Sequence, residues 1–365
     1  MSQGEASTAQ SGSSPANESD TRHLKSFHRY LKKARKVLCI VGAGLSQSSG
    51  IPTYQLQRGS WKGYTSLDLA TPEAFDANPG LVWLFYSNRR YIAMRAKPNR
   101  GHYALAELAK RMRERRRSVL VVTQNVDGLQ RRAGQAEQDL CELHGSLFDL
   151  RCTSFFCTYK GSNTRDLFLT PKLREFTPRD VGVKRKRAAE LERSAKRARR
   201  GPAGPSGATA SQASEPEETA SSSDFDPLPH LDQEDLPHCP KCKTGLLRPG
   251  VVWFGEPLPL LQMDKVDAFF VQGNDDSTTP IDLVLVIGTS GKVWPAMGYV
   301  ERCKQNGGRV AVFNTKIDDL DLVNRDNASW AFQGEASYWL PRALEPIIGK
   351  IYGPSSRRHY GTALP

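Results

Sequence analysis

Cys152-x4-Cys157 and Cys239-x2-Cys242 place four thiols in two knuckles, the second with Pro240-Lys241 in its turn. Four Cys ligands close a tetrahedral zinc shell and leave no position for water, so the pattern predicts a structural metal site and not a catalytic one. The 81 residues between the pairs are compatible with one site, because loop-closure cost rises slowly with length. His238 beside the second pair is an alternative ligand. Cys39, Cys141 and Cys303 read as small buried hydrophobes.

Three further groups lie at points where apolar runs end. Gly42-Ala43-Gly44-Leu45-Ser46, continuing to Gly50-Ile51-Pro52, follows the run Val37–Val41. Glycines there let the backbone approach a pyrophosphate, whose charge is met by exposed N–H groups. Gln47 stands where the dehydrogenase pattern has its third glycine, so the motif suits a dinucleotide site better than it suits a hydride-transfer enzyme. A plain strand-to-helix turn is the competing reading. Thr123-Gln124-Asn125-Val126-Asp127-Gly128-Leu129 brings two amides and a carboxylate, groups that hold a carboxamide or a ribose hydroxyl; Asn-x-Asp-Gly is also ordinary turn chemistry. In Glu142-Leu143-His144-Gly145-Ser146 the histidine has the right ordinary pKa, ~6.5, for a general base, although a structural histidine would look the same.

The elements that must position these groups are legible as short apolar runs. Strands are expected at 37–41, 118–123, 283–287 and 309–313, the last ending at Asn314, with helices at about 24–35, 101–117 and 294–305. Buried strands alternating with helices predict an α/β fold, a Rossmann-like doubly wound parallel sheet, with a smaller zinc-binding module. Ligands of such sheets sit at the carboxyl ends of strands, where Gly42, Gln124, Gly288 and Asn314 all fall.

The 365 residues are 38% hydrophobic and 25% charged with a formal net charge of +12, ample for a buried core. That charge is segregated. Residues 181–200 hold nine Lys or Arg against two Glu, and residues 211–236 hold eight acidic residues and no Lys or Arg. Residues 1–23 and about 161–236 are poor in groups to bury and are expected to be a disordered tail and a disordered insertion; 351–365 form a C-terminal tail. Lys184-Arg185-Lys186-Arg187 and Lys196-Arg197-Ala198-Arg199-Arg200 suit a nuclear-import signal read by an import receptor, or contact with nucleic acid. A solvated charged helix over 188–199 is the plainer reading. No apolar run is long enough to span a bilayer, so no membrane partner is expected. Met1–Asp20 has neither basic residues nor an apolar stretch, so neither a secretory signal nor a presequence is expected there. The thiols are read as serving metal or chemistry in a reducing compartment.

Together these motifs resemble the sirtuins, NAD-dependent protein-lysine deacylases, over about residues 30–160 and 237–348. The resemblance is carried by the glycine and Gln124–Leu129 motifs, Leu143-His144-Gly145, the four cysteines, Gly288-Thr289-Ser290 and Asn314-Thr315. It implies a catalytic domain over 24–350 with a zinc module at about 145–255, and NAD and zinc as cofactors. NAD contacts would come from Gly42, Ala43, Gly44, Ser46, Gln124, Asn125, Asp127, Gly288, Thr289, Ser290, Asn314, Thr315 and, at the adenine, Ala336. His144 would deprotonate a ribose hydroxyl after the acyl oxygen of an acyl-lysine displaces nicotinamide, giving free lysine and O-acyl-ADP-ribose.

Arg248-Pro249-Gly250-Val251-Val252-Trp253-Phe254-Gly255-Glu256 and Asp68-Leu69-Ala70-Thr71-Pro72 are similar to the class III, desuccinylase and demalonylase type, with a small Ala70 widening the acyl pocket. The similarity extends to Tyr86 and Arg89, whose counterparts bind the acyl carboxylate and whose i, i+3 spacing shares a helix face. The substrate backbone would add as a strand along Val252, Trp253, Phe254, Gly255 and Glu256. The chain departs from the family at Tyr54-Gln55-Leu56, where Phe-Arg-Gly is usual, and at Gln130, where His is common. A mono-ADP-ribosyltransferase using the same NAD site, and a non-enzymatic zinc-containing chromatin adaptor, are the alternatives. The expected compartment is the nucleus, with mitochondrion or cytoplasm as alternatives.

Overall fold

The computed structural model describes residues 18–53, 61–176, 230–271, 280–289, 294–317 and 330–351. Its strands in chain order are β1 (Lys36–Val41), β2 (Ser118–Thr123), β3 (Leu140–Glu142), β4 (Gly145–Cys152), β5 (Lys160–Ser162), β6 (Leu247–Val251), β7 (Leu283–Ile287), β8 (Arg309–Asn314) and β9 (Trp330–Gln333). Six of them form one sheet in the order β3-β2-β1-β7-β8-β9, and every pair in it is parallel.

The apolar runs are continuous because this sheet is covered on both faces. Along β1, Val37, Cys39 and Val41 pack with Phe27, Leu31, Leu105 and Leu108 on one side. Leu38 and Ile40 pack with Val266 and Val300 on the other. From β1 the chain first builds outward through β2 and β3, then returns to the opposite edge of β1 to add β7, β8 and β9. The order therefore reverses between β1 and β7, whose ends are registered Val41 against Ile287. This is the switch point at which such sheets bind ligands.

A second, antiparallel sheet in the order β5-β4-β6 forms the smaller module. Its ribbon runs from Gly145 paired with Val251 to Cys152 paired with Leu247. The core beneath it gathers Trp83, Phe85, Leu147, Leu150, Leu236 and Trp253. The helix Pro79–Arg95 supplies much of that core. Trp83 Nε1 donates to the Leu247 carbonyl at 2.9 Å. The buried Arg90 donates to the carbonyl oxygens of Leu147, Asn163 and Asp166, which satisfies the charge it carries inward.

Several expected boundaries are corrected. The first helix spans Glu18–Leu31, beginning six residues before 24 and ending four before 35. Phe27 and Leu31 are fully buried, and that anchorage carries the helix back through polar residues of low intrinsic interest to a core. The ends of the expected insertion are ordered as well: a helix covers Pro171–Phe176, and Leu173, Leu231 and Leu236 enter the module core. The central part of that insertion, including both basic clusters, lies outside the described residues, as does 352–365. Strands β3, β4, β5, β6 and β9 were not expected.

Candidate active site

At the switch point the backbone of β1 meets that of β7. Gly44 N donates to the Gly288 carbonyl at 2.8 Å. A Cβ on Gly44 would lie 2.7 Å from Gly288 Cα, and one on Gly42 would lie 2.7 Å from the Gly288 oxygen. No side chain fits in that approach, and Gly288 also adopts φ +57°, a conformation that L-residues avoid. These glycines are thus required by the packing of the two strand ends.

Ser46 sits at the centre of a buried hydrogen-bond cluster just beyond them. Its hydroxyl donates to Asp127 Oδ2 at 2.6 Å and accepts from Asn125 Nδ2 at 3.2 Å. Asn125 Nδ2 also donates to the Gly42 carbonyl. The other Asp127 oxygen accepts the Leu129 N–H at 2.8 Å. Burial raises the Asp127 carboxyl, while the Ser46 hydroxyl, the Leu129 N–H and Arg132 pull it back.

His102 approaches Ser46 from the far side, with Nε2 at 3.4 Å from the hydroxyl oxygen. Its Nδ1 accepts the backbone N–H of Asn99, so the proton resides on Nε2 and is directed at Ser46. Burial lowers His102 to about 3, which keeps the ring neutral. Asn99 caps the helix Arg100–Glu114 and donates to the Leu45 carbonyl at 2.7 Å. The sequence predicts a helix from about 101, which puts His102 in its first turn, but does not connect His102 or Asn99 to this site. The only signal was the Asn-x-x-His cap.

His144 follows β3. Its Nδ1 lies 3.1 Å from the Gln124 carbonyl oxygen. A carbonyl can only accept, so Nδ1 carries the proton and Nε2 holds a lone pair. Burial lowers this histidine, partly offset by that hydrogen bond. Gln124 Oε1 accepts from Thr289 Oγ1 at 3.2 Å, and Asn314 Nδ2 donates to the Thr289 carbonyl. Gln124 Nε2 is buried with no partner. Thr315 N donates to Asn314 Oδ1, and Ala336 is buried at the start of the helix Ala336–Ala343. Ser290 and Gln55 lie outside the described residues.

A solvent-open pocket lies beside this cluster, lined by Ala43, Ser46, Gln124, Asn125 and Asp127 on the sheet side and by Phe85, Asn88 and Arg89 of the helix opposite. Arg89 lies over the Phe85 ring at 4.3 Å and donates to Ser66 Oγ at 2.8 Å. Tyr86 is not among the lining residues; its buried hydroxyl accepts from Trp253 Nε1 at 2.9 Å. Ala70 accepts the Phe254 N–H through its carbonyl, and Val252 N donates to the His144 carbonyl. Glu256 pairs with Arg248 at 2.5 Å and accepts the Trp253 N–H, fixing the segment beside the site. Phe254 remains half exposed and Gly255 takes φ +85°.

The four cysteines converge at the far end of the β4–β6 ribbon. Their sulfur atoms all lie within 4.8 Å of one another, with Cys152–Cys242 and Cys157–Cys239 both at 3.7 Å. A zinc tetrahedron with ~2.3 Å bonds has an edge of roughly 3.8 Å, so the donor set fits that ion. His238 instead points Nδ1 at the Leu236 carbonyl.

The Sir2 family model matches residues 42–188 and 207–295. The chain belongs to the Sir2 family. An NAD-dependent protein deacylase of Candida albicans is 46% identical over 332 residues, 90% of this chain and 99% of the relative. The NAD-dependent protein deacylase sirtuin-5, mitochondrial, of Canis lupus familiaris is 35% identical over 333 residues, 91% and 88% of the two chains. A crystal structure of a Sir2 homologue in complex with NAD is 28% identical, with a TM-score of 0.59 over 90% of this chain and 93% of the other. The parallel sheet of this sirtuin matches the fold of its solved relatives, and its four-cysteine cluster fits zinc. Among the described residues no helix is long and apolar enough to cross a membrane.

Proposed function

We propose that this sirtuin is an NAD-dependent protein-lysine deacylase whose base is His144. The observation that carries the reading is the neutral His144 ring after β3, held through Nδ1 by the Gln124 carbonyl after the adjacent β2 with Nε2 available, beside the unpaired buried amide of Gln124. That orphaned donor, at the switch point where β1 and β7 end side by side, fits a dinucleotide laid across the strand ends. Bound NAD would supply an electrophilic ribose carbon, to which the acyl oxygen bonds as nicotinamide departs.

Asn125, Ser46 and Asp127 would hold the nicotinamide end; Gly288, Thr289, Ser290, Asn314, Thr315 and Ala336 would hold the rest. His144 Nε2 would take the proton of a ribose hydroxyl. Val252–Glu256, pinned by Arg248, supports strand-like pairing with the substrate backbone. Arg89 in the pocket wall supports an acidic acyl group, succinyl or malonyl, and the resemblance to sirtuin-5 relatives supports it too.

The domain bounds expected above, 24–350 with the module at 145–255, are proposed with it, the first helix extending the domain to residue 18. For compartment, the sirtuin-5 relatives from Canis lupus familiaris and Danio rerio are both named mitochondrial, which supports that alternative over the nuclear expectation resting on the two basic clusters.

The test is incubation with NAD and matched acetyl-, malonyl- and succinyl-lysine peptides, with products followed by mass. Free lysine peptide, nicotinamide and O-acyl-ADP-ribose in equal amounts are expected. NAD consumption with label transferred to protein and no deacylated peptide would replace the reading with ADP-ribosyl transfer.

A further inference from the structure

Phe155 and Phe156 are the most exposed large hydrophobic side chains among the described residues, at 92% and 93%. They project from the first cysteine knuckle and contact each other edge to face, with centroids 5.1 Å apart. Solvation of two adjacent phenyl rings is unfavourable, and nothing in the knuckle covers them. The knuckle chain, 152–161 and 238–247, contains Lys160, Lys241 and Lys243 and no acidic residue. All three lysines are exposed, and Lys241 Nζ reaches across to Thr158 Oγ1 at 3.2 Å, tying the second knuckle to the first. With zinc bound, the four thiolates leave two negative charges at the centre. Three ammonium groups at the surface of the same two knuckles exceed them, with Lys241 held beside Thr158 two residues from Phe156.

The β4–β6 ribbon connects this tip to the reaction site. At one end Gly145, next to His144, pairs with Val251; at the other Cys152 pairs with Leu247. Five residues of β6 cover roughly 13 Å at ~3.3 Å each, and the phenylalanines lie beyond the last pair. An extended chain needs about six to eight residues to bridge roughly 20 to 27 Å.

We infer that the Phe155–Phe156 tip is a docking site for protein substrates that carry an acidic, apolar segment about six to eight residues from the acyl-lysine. The inference rests on the deacylase reading above for its substrate class. A protein segment is favoured because the tip and the proposed substrate-pairing segment lie at the two ends of one β4–β6 ribbon, so a single chain can engage both. The rings take the apolar side chains and the lysines take the carboxylates, which speeds encounter and fixes orientation.

The test uses the zinc-loaded full chain and acyl-lysine peptides of three kinds: a short one, and two extended by a Leu/Phe/Asp/Glu segment placed seven residues before or after the lysine. The variants are Phe155→Ser with Phe156→Ser, and Lys241→Glu with Lys243→Glu, each checked for zinc content and thermal unfolding. One extended peptide should show a KM on the order of tenfold below that of the short peptide. Both variants should lose that advantage while retaining wild-type kcat and KM on the short peptide, and salt should weaken only the extended substrate. Fluorescence anisotropy with the unacylated extended peptides measures docking apart from catalysis. If the short peptide is not turned over, the deacylase reading fails while the anisotropy still decides the docking site. Equal KM and no anisotropy change for either extension would overturn the proposal, as would an advantage that survives both variants. Binding of phosphatidylserine vesicles or an oligo-dT strand through the same residues, with no peptide binding, would assign the tip to a membrane or nucleic acid instead.

Discussion

The carbonyl oxygen of Gln124 accepts the Nδ1–H of His144 at 3.1 Å, joining residues from two adjacent parallel strand ends. That one bond selects the tautomer with a free Nε2, and burial holds the ring neutral. His144→Ala removes the proton acceptor without disturbing either strand. Deacylation should fall by about 10²–10⁴-fold, with thermal unfolding and zinc content unchanged. In the wild type, kcat should drop as acid protonates the ring, with a midpoint below the ordinary value near ~6.5. Activity within a few-fold of wild type in the alanine variant would remove His144 from the mechanism.

His102 lends itself to a test by stability. Burial places it at about 3, whereas an unfolded chain's histidine titrates near ~6.5. Its folded pKa is depressed, so the unfolded state binds the extra proton. The stability of the neutral ring is complete above about pH 6.5 and is lost as pH falls from there toward about 3. His102→Gln should flatten that acid limb by about one proton while costing stability at pH 8, because the Asn99 N–H and Ser46 lose their histidine. Urea unfolding at several pH values measures the slope, and an unaltered slope would mean that His102 is already solvated.

Much of this arrangement was legible before the fold. The runs at 118–123 and 283–287 are strands over those same residues, because a strand buried on both faces must be apolar throughout. Three-residue β3 and four-residue β9 lack the length to show a pattern and exist only because β2 and β8 offer them free edges. Leu173 and Leu231 looked isolated in a polar stretch, yet each fills the core of the zinc module. Within the site, the strand-end motifs could be read because each follows an apolar run. Asn99 and His102 could not, since their contacts with Leu45 and Ser46 span more than fifty residues and arise from packing. The i, i+3 rule placed Tyr86 on the face of Arg89, but most of the helix Pro79–Arg95 is buried. On such a helix spacing does not choose between neighbours, and Trp253 takes the Tyr86 hydroxyl.

The cysteine cluster should hold one zinc per chain. Metal analysis of purified protein checks the stoichiometry. Cys239 is buried and sits where the second knuckle meets the module core, so Cys239→Ser should abolish metal retention and cooperative unfolding of the module. Structural zinc sites contribute their binding free energy to folding, and a strong chelator should therefore produce the same loss slowly in the wild type. Protein that contains no zinc yet unfolds cooperatively would show that the thiols alone suffice.

Acyl choice is the sharpest remaining question. A succinyl or malonyl carboxylate entering the pocket must be desolvated, which is costly unless it is paired. Arg89 lies in the pocket wall, steadied by the Phe85 ring and Ser66, so its guanidinium is already oriented before substrate arrives. A charge-assisted pair of this kind contributes roughly 1.5–3 kcal/mol, which corresponds to about 10- to 150-fold in kcat/KM for succinyl over acetyl. Arg89→Met keeps the stem over Phe85 and removes the charge. Succinyl and malonyl activity should fall by that factor while acetyl activity changes by less than about threefold. Tyr86→Phe is the companion variant: with its hydroxyl accepting from Trp253 in the free protein, its loss should lower all three activities together more than it alters their ratio. Equal losses on every acyl group in Arg89→Met would show that Arg89 braces the helix against Ser66 and does not read the acyl group.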